Sequence, residues 1–280
     1  MTEVAIVGAG DLGGAIAHQL ARRDIVRAVT LIDNSGRVAA GKALDIAEAA
    51  PIEAFSTHIE GTADFSRTAG ASVVVLADRA AGGEWQGEEA LMLLKRLMTM
   101  AARAVVVCAG TAQRELIDRG VRELKIARRR LFGTAPGALA SGARALIALA
   151  ADGSPQDVAV ALLGVPPAHT VIAWEDATIG GGRLTGVIDQ PTRHRLAARI
   201  GALWPPGPHA LAAAAVNAIA AMAGRSRRLA ICFVGPDTSS GINTRAAAFP
   251  VRLGPDGIVQ VVMPWLSVAE RVALENAMNL

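Results

Sequence analysis

Residues 4–34, VAIVGAGDLGGAIAHQLARRDIVRAVTLIDN, decide the fold. An apolar run of strand type, Thr2–Val7, ends in the glycine cluster GAGDLGG. An alanine- and leucine-rich segment from Gly14 to Ala21 then reads as a helix, and VRAVTLIDN reads as a second strand. Arg22 and Arg23 close the helical segment, where cations suit the negative end of the helix dipole. Strand, tight turn, helix and strand make a βαβ unit. Gly8, Gly10 and Gly13 carry the G-x-G-x-x-G spacing. In that pattern the first glycine makes the turn, the second lets backbone approach a pyrophosphate, and the third lets helix lie close on strand. The free N–H groups opening the helix then face the phosphates.

Glycine spacing alone is weak evidence. Here it lies between a predicted strand and helix, and Asp33 ends the next strand 20 residues after Gly13. A carboxylate there accepts the hydroxyls of an adenosine ribose and repels a 2′-phosphate, which favours NAD over NADP. The alternative is a glycine turn that only packs helix against sheet, with Asp33 an ordinary strand cap.

Working outward, GRVAAGKALDIAEAA reads as a helix, Ser72–Leu76 as a buried strand and Glu88–Met100 as an amphipathic helix. Ala104–Cys108 is the next strand, a basic helical stretch is expected over Arg114–Arg129, and a short strand over Leu131–Gly133. Strands recurring between helices predict a mostly parallel sheet over residues 1–142. Residues 143–280 read as a second, mixed α/β domain, entered by a helix over Ser141–Ala151. Strands are expected at Asp157–Leu163, His169–Trp174, Arg228–Val234 and Phe249–Leu253, and helices at Pro191–Leu203 and His209–Ala223. LGPDGIVQVVM is a hairpin turning at Pro255-Asp256-Gly257, and Ser267 with Glu270 forms a capping box before a last helix, Val268–Met278.

Composition narrows the classes. Of 280 residues, 52% are hydrophobic and only 3% aromatic, which excludes a disordered chain. There are 58 alanines, and the 28 basic residues are 25 arginines and 3 lysines. A net charge of +3 made of dispersed arginines, without aromatic platforms between them, argues against nucleic acid. No apolar run reaches the roughly 18 residues of a membrane span, and the N-terminus does not read as a signal peptide. The two cysteines, Cys108 and Cys232, sit inside apolar runs and fit a reducing compartment, so a cytoplasmic protein is expected. No spacing of metal ligands and no nucleophile elbow appears; SPQD and TSSG read as turns.

Four stretches together resemble the malate/lactate dehydrogenase family: residues 4–34 above, GRVAAGKALDIAEAAPI, GTADF before ASVVVLA, and FPVRLGPDGIVQVVMPWLSVAERVAL. The resemblance is nearest to malate dehydrogenase and brackets nearly the whole chain. It implies a Rossmann-type NAD domain, a mixed α/β catalytic domain, and a homodimer or homotetramer with the GKALDI helix at a subunit contact. The implied cofactor is NAD, with Gly8, Ala9, Gly10, Asp11, Leu12, Gly13, Asp33, Asn34 and Ala77 as its candidate contacts.

The family's chemistry is matched less well. Reducing a 2-oxo acid needs a proton donor at the carbonyl oxygen, an oriented cation, and an arginine for the carboxylate. Where the family keeps its proton-donor histidine this chain reads LLGVPPAHT, with Pro166 at the position. The region of the orienting aspartate and the carboxylate-binding arginine reads LASGAR, with Ala140 and Ala143 there. The loop expected to carry a further arginine reads ADRAAGGEWQGEE, and the asparagine position falls in CAGTA at Ala109 or Gly110. Four residues remain as weak candidates for relocated roles. His169 follows the expected histidine by three positions, and Arg144 follows the expected arginine by one, about 100° round a helix. Arg79, beside Asp78, borders the expected crevice, and His209 could face the former substrate pocket. For His169 a strand-end surface role competes, and for Arg144 a surface or interface role. The expectation is an NAD-binding protein whose usual 2-hydroxy-acid activity is lost or altered, with an active oxidoreductase of relocated residues as the alternative.

Overall fold

The computed structural model describes residues 3–237 and 245–279. Thr2, where the first strand was expected to begin, and the TSSG turn at 238–241 lie outside them.

The first half is built as β1 (Glu3–Val7), α1 (Asp11–Arg22), β2 (Ala28–Ile32), α2 (Gly36–Glu53) and β3 (His58–Thr62). It continues through β4 (Val73–Leu76), α3 (Gly87–Met100), β5 (Val105–Cys108), α4 (Arg114–Arg122) and β6 (Leu131–Gly133). The six strands pair in parallel in the order β3-β2-β1-β4-β5-β6. Helices cover both faces, so β4 and β5 are buried at every residue, and their valine runs show no alternation. The strand order reverses between β1 and β4. A sheet of this kind opens its ligand crevice at the carboxyl ends of those two strands.

The second half begins with α5 (Ala135–Ala150), then β7 (Val158–Ala159), β8 (Leu162–Val165), β9 (His169–Ile172), β10 (Thr178–Ile179) and β11 (Gly182–Arg183). There follow α6 (Gln190–Gly201), α7 (Pro208–Met222), β12 (Ala230–Val234), β13 (Ala247–Gly254), β14 (Gly257–Val261) and α8 (Val268–Met278). β12 pairs antiparallel with β6, and β13, β8 and β9 add on in turn, so one sheet runs through both halves. The main apolar core likewise joins the first half to Leu211–Met222 of α7 and to Phe233, Ala248 and Val251. Residue 142, where the sequence divides most naturally, lies inside α5.

Several element boundaries differ from the sequence reading. The basic stretch after Arg114 stays helical only to Arg122, because Lys125 takes a left-handed φ of 55° and breaks the run. α5 starts six residues before Ser141, with Pro136 in the first turn, where its missing N–H costs nothing. The expected Asp157–Leu163 strand splits: β7 pairs with β10 in a small separate sheet, while β8 joins the main one. β3 has no counterpart among the expected strands; HIEGT has one large apolar residue, Ile59, as an edge strand allows.

The hairpin closes where expected, Gly254 facing Gly257 across two turn residues. Ser267 caps α8 as a full capping box, its hydroxyl accepting from the Glu270 N–H while Glu270 accepts from the Ser267 N–H at 2.7 Å. Ser267→Ala removes one of the two reciprocal bonds. Thermal or urea unfolding should register a loss of about 1 kcal/mol.

Candidate functional site

The crevice at the switch point is assembled from four strand ends. After β1 the chain turns at Gly8, whose φ of +116° and whose distance of 2.4 Å from a notional Cβ to the Asp78 carbonyl exclude a side chain. Gly13 packs α1 onto the same turn: a Cβ there would fall 2.0 Å from the Gly8 carbonyl oxygen. Ala77, fully buried, lies behind both glycines, and Ala9 and Leu12 are buried as well. Asp11 points to solvent at the start of α1 and Asn34 is exposed beyond β2. Lys42, from the GKALDI stretch of α2, donates to the Gly10 carbonyl at 2.7 Å and ties that helix to the glycine turn.

Asp33 is 3% exposed, and its carboxylate is fully engaged with backbone. One oxygen accepts from the Ala9 N–H and the Ala80 N–H, both at 2.9 Å, and the other from the Ser35 N–H at 2.9 Å. The acid at the end of β2 thus draws together the β1 turn and the segment after β4.

A second acid, which the sequence reading left without a role, stands in the centre of the crevice. The carboxylate of Asp78 accepts from the Leu12 N–H at 3.2 Å and the Gly13 N–H at 3.0 Å, and its carbonyl accepts from the Gly10 N–H at 3.0 Å. It caps α1 from 65 residues away, satisfying donors that a helix start leaves free. The space above Gly10 is filled by this side chain: a Cβ on Gly10 would lie 2.3 Å from the Asp78 Cγ. The sequence signal was an acid immediately after a buried strand that neighbours the glycine turn.

A third carboxylate continues the pattern. Glu84 accepts from the Thr111 N–H at 2.8 Å, the Thr111 hydroxyl at 3.0 Å and the Ala112 N–H at 2.9 Å, in the turn between β5 and α4. Residues 78–86 therefore form a strap across the sheet end, held by Asp78 at one side and Glu84 at the other. Trp85 anchors it from below at 3% exposure, and the Arg79 guanidinium stacks over that ring, 5.2 Å from its centroid.

The four weak catalytic candidates do not meet. Arg79 is taken up by Trp85 and by an ion pair with Glu89 at 3.1 Å. His169 is exposed at the start of β9, paired in register with Val165. Arg144 lines an open groove of about 820 Å³ between α5 and α7, shared with Arg23, Arg225 and Arg228. His209 stands at the rim of another cavity, about 530 Å³, beside Asp11, His18 and Lys42. Cys108 and Cys232 are buried, and burial pushes both thiols far above their ordinary pKa. Among the described residues there is no cluster of three or more potential metal ligands, and no helix is long and apolar enough to cross a membrane.

Residues 2–117, which carry β1 through the start of α4, match the NAD-binding domain of lactate/malate dehydrogenase. The match spans the nucleotide half of the chain. Relatives extend along the whole chain. A malate dehydrogenase of Chlorobium phaeobacteroides is 24% identical over 99% of this chain and 96% of its own length. An L-lactate dehydrogenase of Allorhizobium ampelinum is 25% identical with the same coverage. Among solved structures, malate dehydrogenase from Salinibacter ruber superimposes with a TM-score of 0.86 at 23% identity, covering 99% of this chain and 94% of that one. Cryptosporidium parvum lactate dehydrogenase with lactic acid and NAD gives the same TM-score at 20% identity, covering 99% and 95%. These likenesses establish the α/β fold, a Rossmann-type parallel sheet carried into a mixed second half.

The cofactor of this domain family is NAD. The glycine turn offers the backbone shape and the N–H groups that a dinucleotide phosphate takes. With the Asp78 carboxylate bonded to those groups, the phosphate does not fit, since a like charge already fills the place.

Asp33→Asn would turn an amide N–H toward at least one of the three backbone donors. Urea unfolding should show a loss of about 1–3 kcal/mol, the cost of leaving a buried donor unpaired.

Proposed function

We propose that the chain is an NAD-binding member of the lactate/malate dehydrogenase family that does not oxidise 2-hydroxy acids. The observation carrying this reading is the side-chain set where the family keeps its acid–base groups. Ala140 and Ala143 are both buried along α5, and Pro166 fills the turn between β8 and β9. General acid catalysis needs a titratable group within hydrogen-bond reach of the reacting oxygen. His169 has no carboxylate partner among the described residues, and Arg79 is committed to Glu89 and Trp85. An oriented imidazole and a free bidentate guanidinium are the two groups such a reaction asks of a protein; among the described residues His169 supplies no oriented imidazole and Arg79 no free guanidinium.

A second reading, an active oxidoreductase with relocated residues, draws support from relatives named malate and L-lactate dehydrogenase over 96% of their own length. The two part on one measurement. NADH absorbance should show no turnover of malate, lactate or other 2-hydroxy acids above background; sustained turnover would establish the second reading instead.

Assembly as a homo-oligomer is part of the proposal. α2 presents Val38, Leu44 and Ile52 to solvent, an apolar stripe that a second copy would cover. Sedimentation should return at least a dimer, and Leu44→Asp with Ile52→Asp should shift it toward monomer.

A further inference from the structure

We propose that Asp78 is an internal anion that competes with the phosphates of NAD for the N-terminus of α1, so that the dinucleotide binds only when this side chain withdraws. The inference rests on the NAD-binding reading and adds a regulatory contact to it.

Three observations carry it. First, the contact is specific: both carboxylate oxygens bond to successive N–H groups, those of Leu12 and Gly13, in the first turn of α1. These are the donors that a helix start offers to an anion, and one carboxylate uses them as a phosphate would. Second, the contact excludes by volume as well as by charge. The carboxylate carbon lies 2.3 Å from where a Cβ of Gly10 would stand, so the backbone at the position meant for close approach is already covered. Third, the contact is supported from around. The Gly10 N–H bonds to the Asp78 carbonyl at 3.0 Å, and the next residues are held by Ala80 N–H on Asp33 and by Glu84 on Thr111 and Ala112. No positive charge is paired with Asp78, so the carboxylate is balanced by the helix end alone among the described residues.

The consequence is quantitative. When the binding-competent state is only a fraction of the population, apparent affinity falls by that fraction. Removing the competing side chain restores it. Asp78→Ala clears the cradle, and Asp78→Asn keeps the size and an acceptor oxygen while removing the charge. Circular dichroism confirms that each variant is folded, and the asparagine variant carries the test if the alanine one is not.

Calorimetry with NAD, and separately with inorganic pyrophosphate, separates the outcomes. We expect Asp78→Ala to bind NAD at least about tenfold tighter than the native chain, with Asp78→Asn between them. Equal NAD affinity in all three proteins would overturn the proposal and leave the NAD-binding reading standing. If no protein binds NAD but Asp78→Ala gains pyrophosphate binding that the native chain lacks, the competition is supported and the NAD reading falls. Absence of both ligands from every variant would overturn both.

Discussion

A helix of the βαβ type begins with backbone N–H groups that have no partner inside the helix, and their need for an acceptor organises this molecule's crevice. In a dinucleotide fold, a bound phosphate commonly meets that need. Here the Asp78 carboxylate meets it, reaching across from the strand beyond the switch point. Once that bond is made, the segment after β4 must lie over the glycine turn. Its backbone then falls within reach of Asp33, and Glu84 arrives at the turn before α4. The strap is the sum of three carboxylate-to-backbone contacts, each satisfying donors that would otherwise face solvent or stay unpaired.

Buried apolar strands explain why the surrounding frame tolerates this arrangement. β1, β4 and β5 are held between helices on both faces, and their positions do not depend on what occupies the crevice. Lys42 adds a lateral tie, its ammonium bonded to the Gly10 carbonyl on the outer side of the turn. The glycine turn is therefore fixed from α2, from β2 through Asp33, and from β4 through Asp78.

How far the sequence announced all this depends on the range of the interaction. The βαβ unit is local: three glycines, an apolar strand and a helix of small residues lie within one continuous stretch, and each points to the same structure. Asp33 was readable as a crevice residue because its distance from Gly13 is part of the pattern. Its actual partners were not, since Ala80 N–H comes from a loop 47 positions away. Asp78 and Glu84 were hidden for the same reason. Beside Arg79 and Trp85 they look like the solvated charges of an exposed loop, and only the three-dimensional course of the strap turns them inward. The early start of α5 was missed because APGALA has too few large apolar residues to show a helical period, although proline in the first turn is favourable there. β3 escaped because an edge strand needs little hydrophobicity.

The continuous sheet sets the mechanics of the molecule. β6 and β12 share a backbone ladder, and a single core runs from the nucleotide half into α7 and β13. Two bodies joined in this way lack the hinge that lets paired domains open like a book. Any opening of the crevice that keeps this ladder and core intact is then a local event, confined to the few residues of the strap.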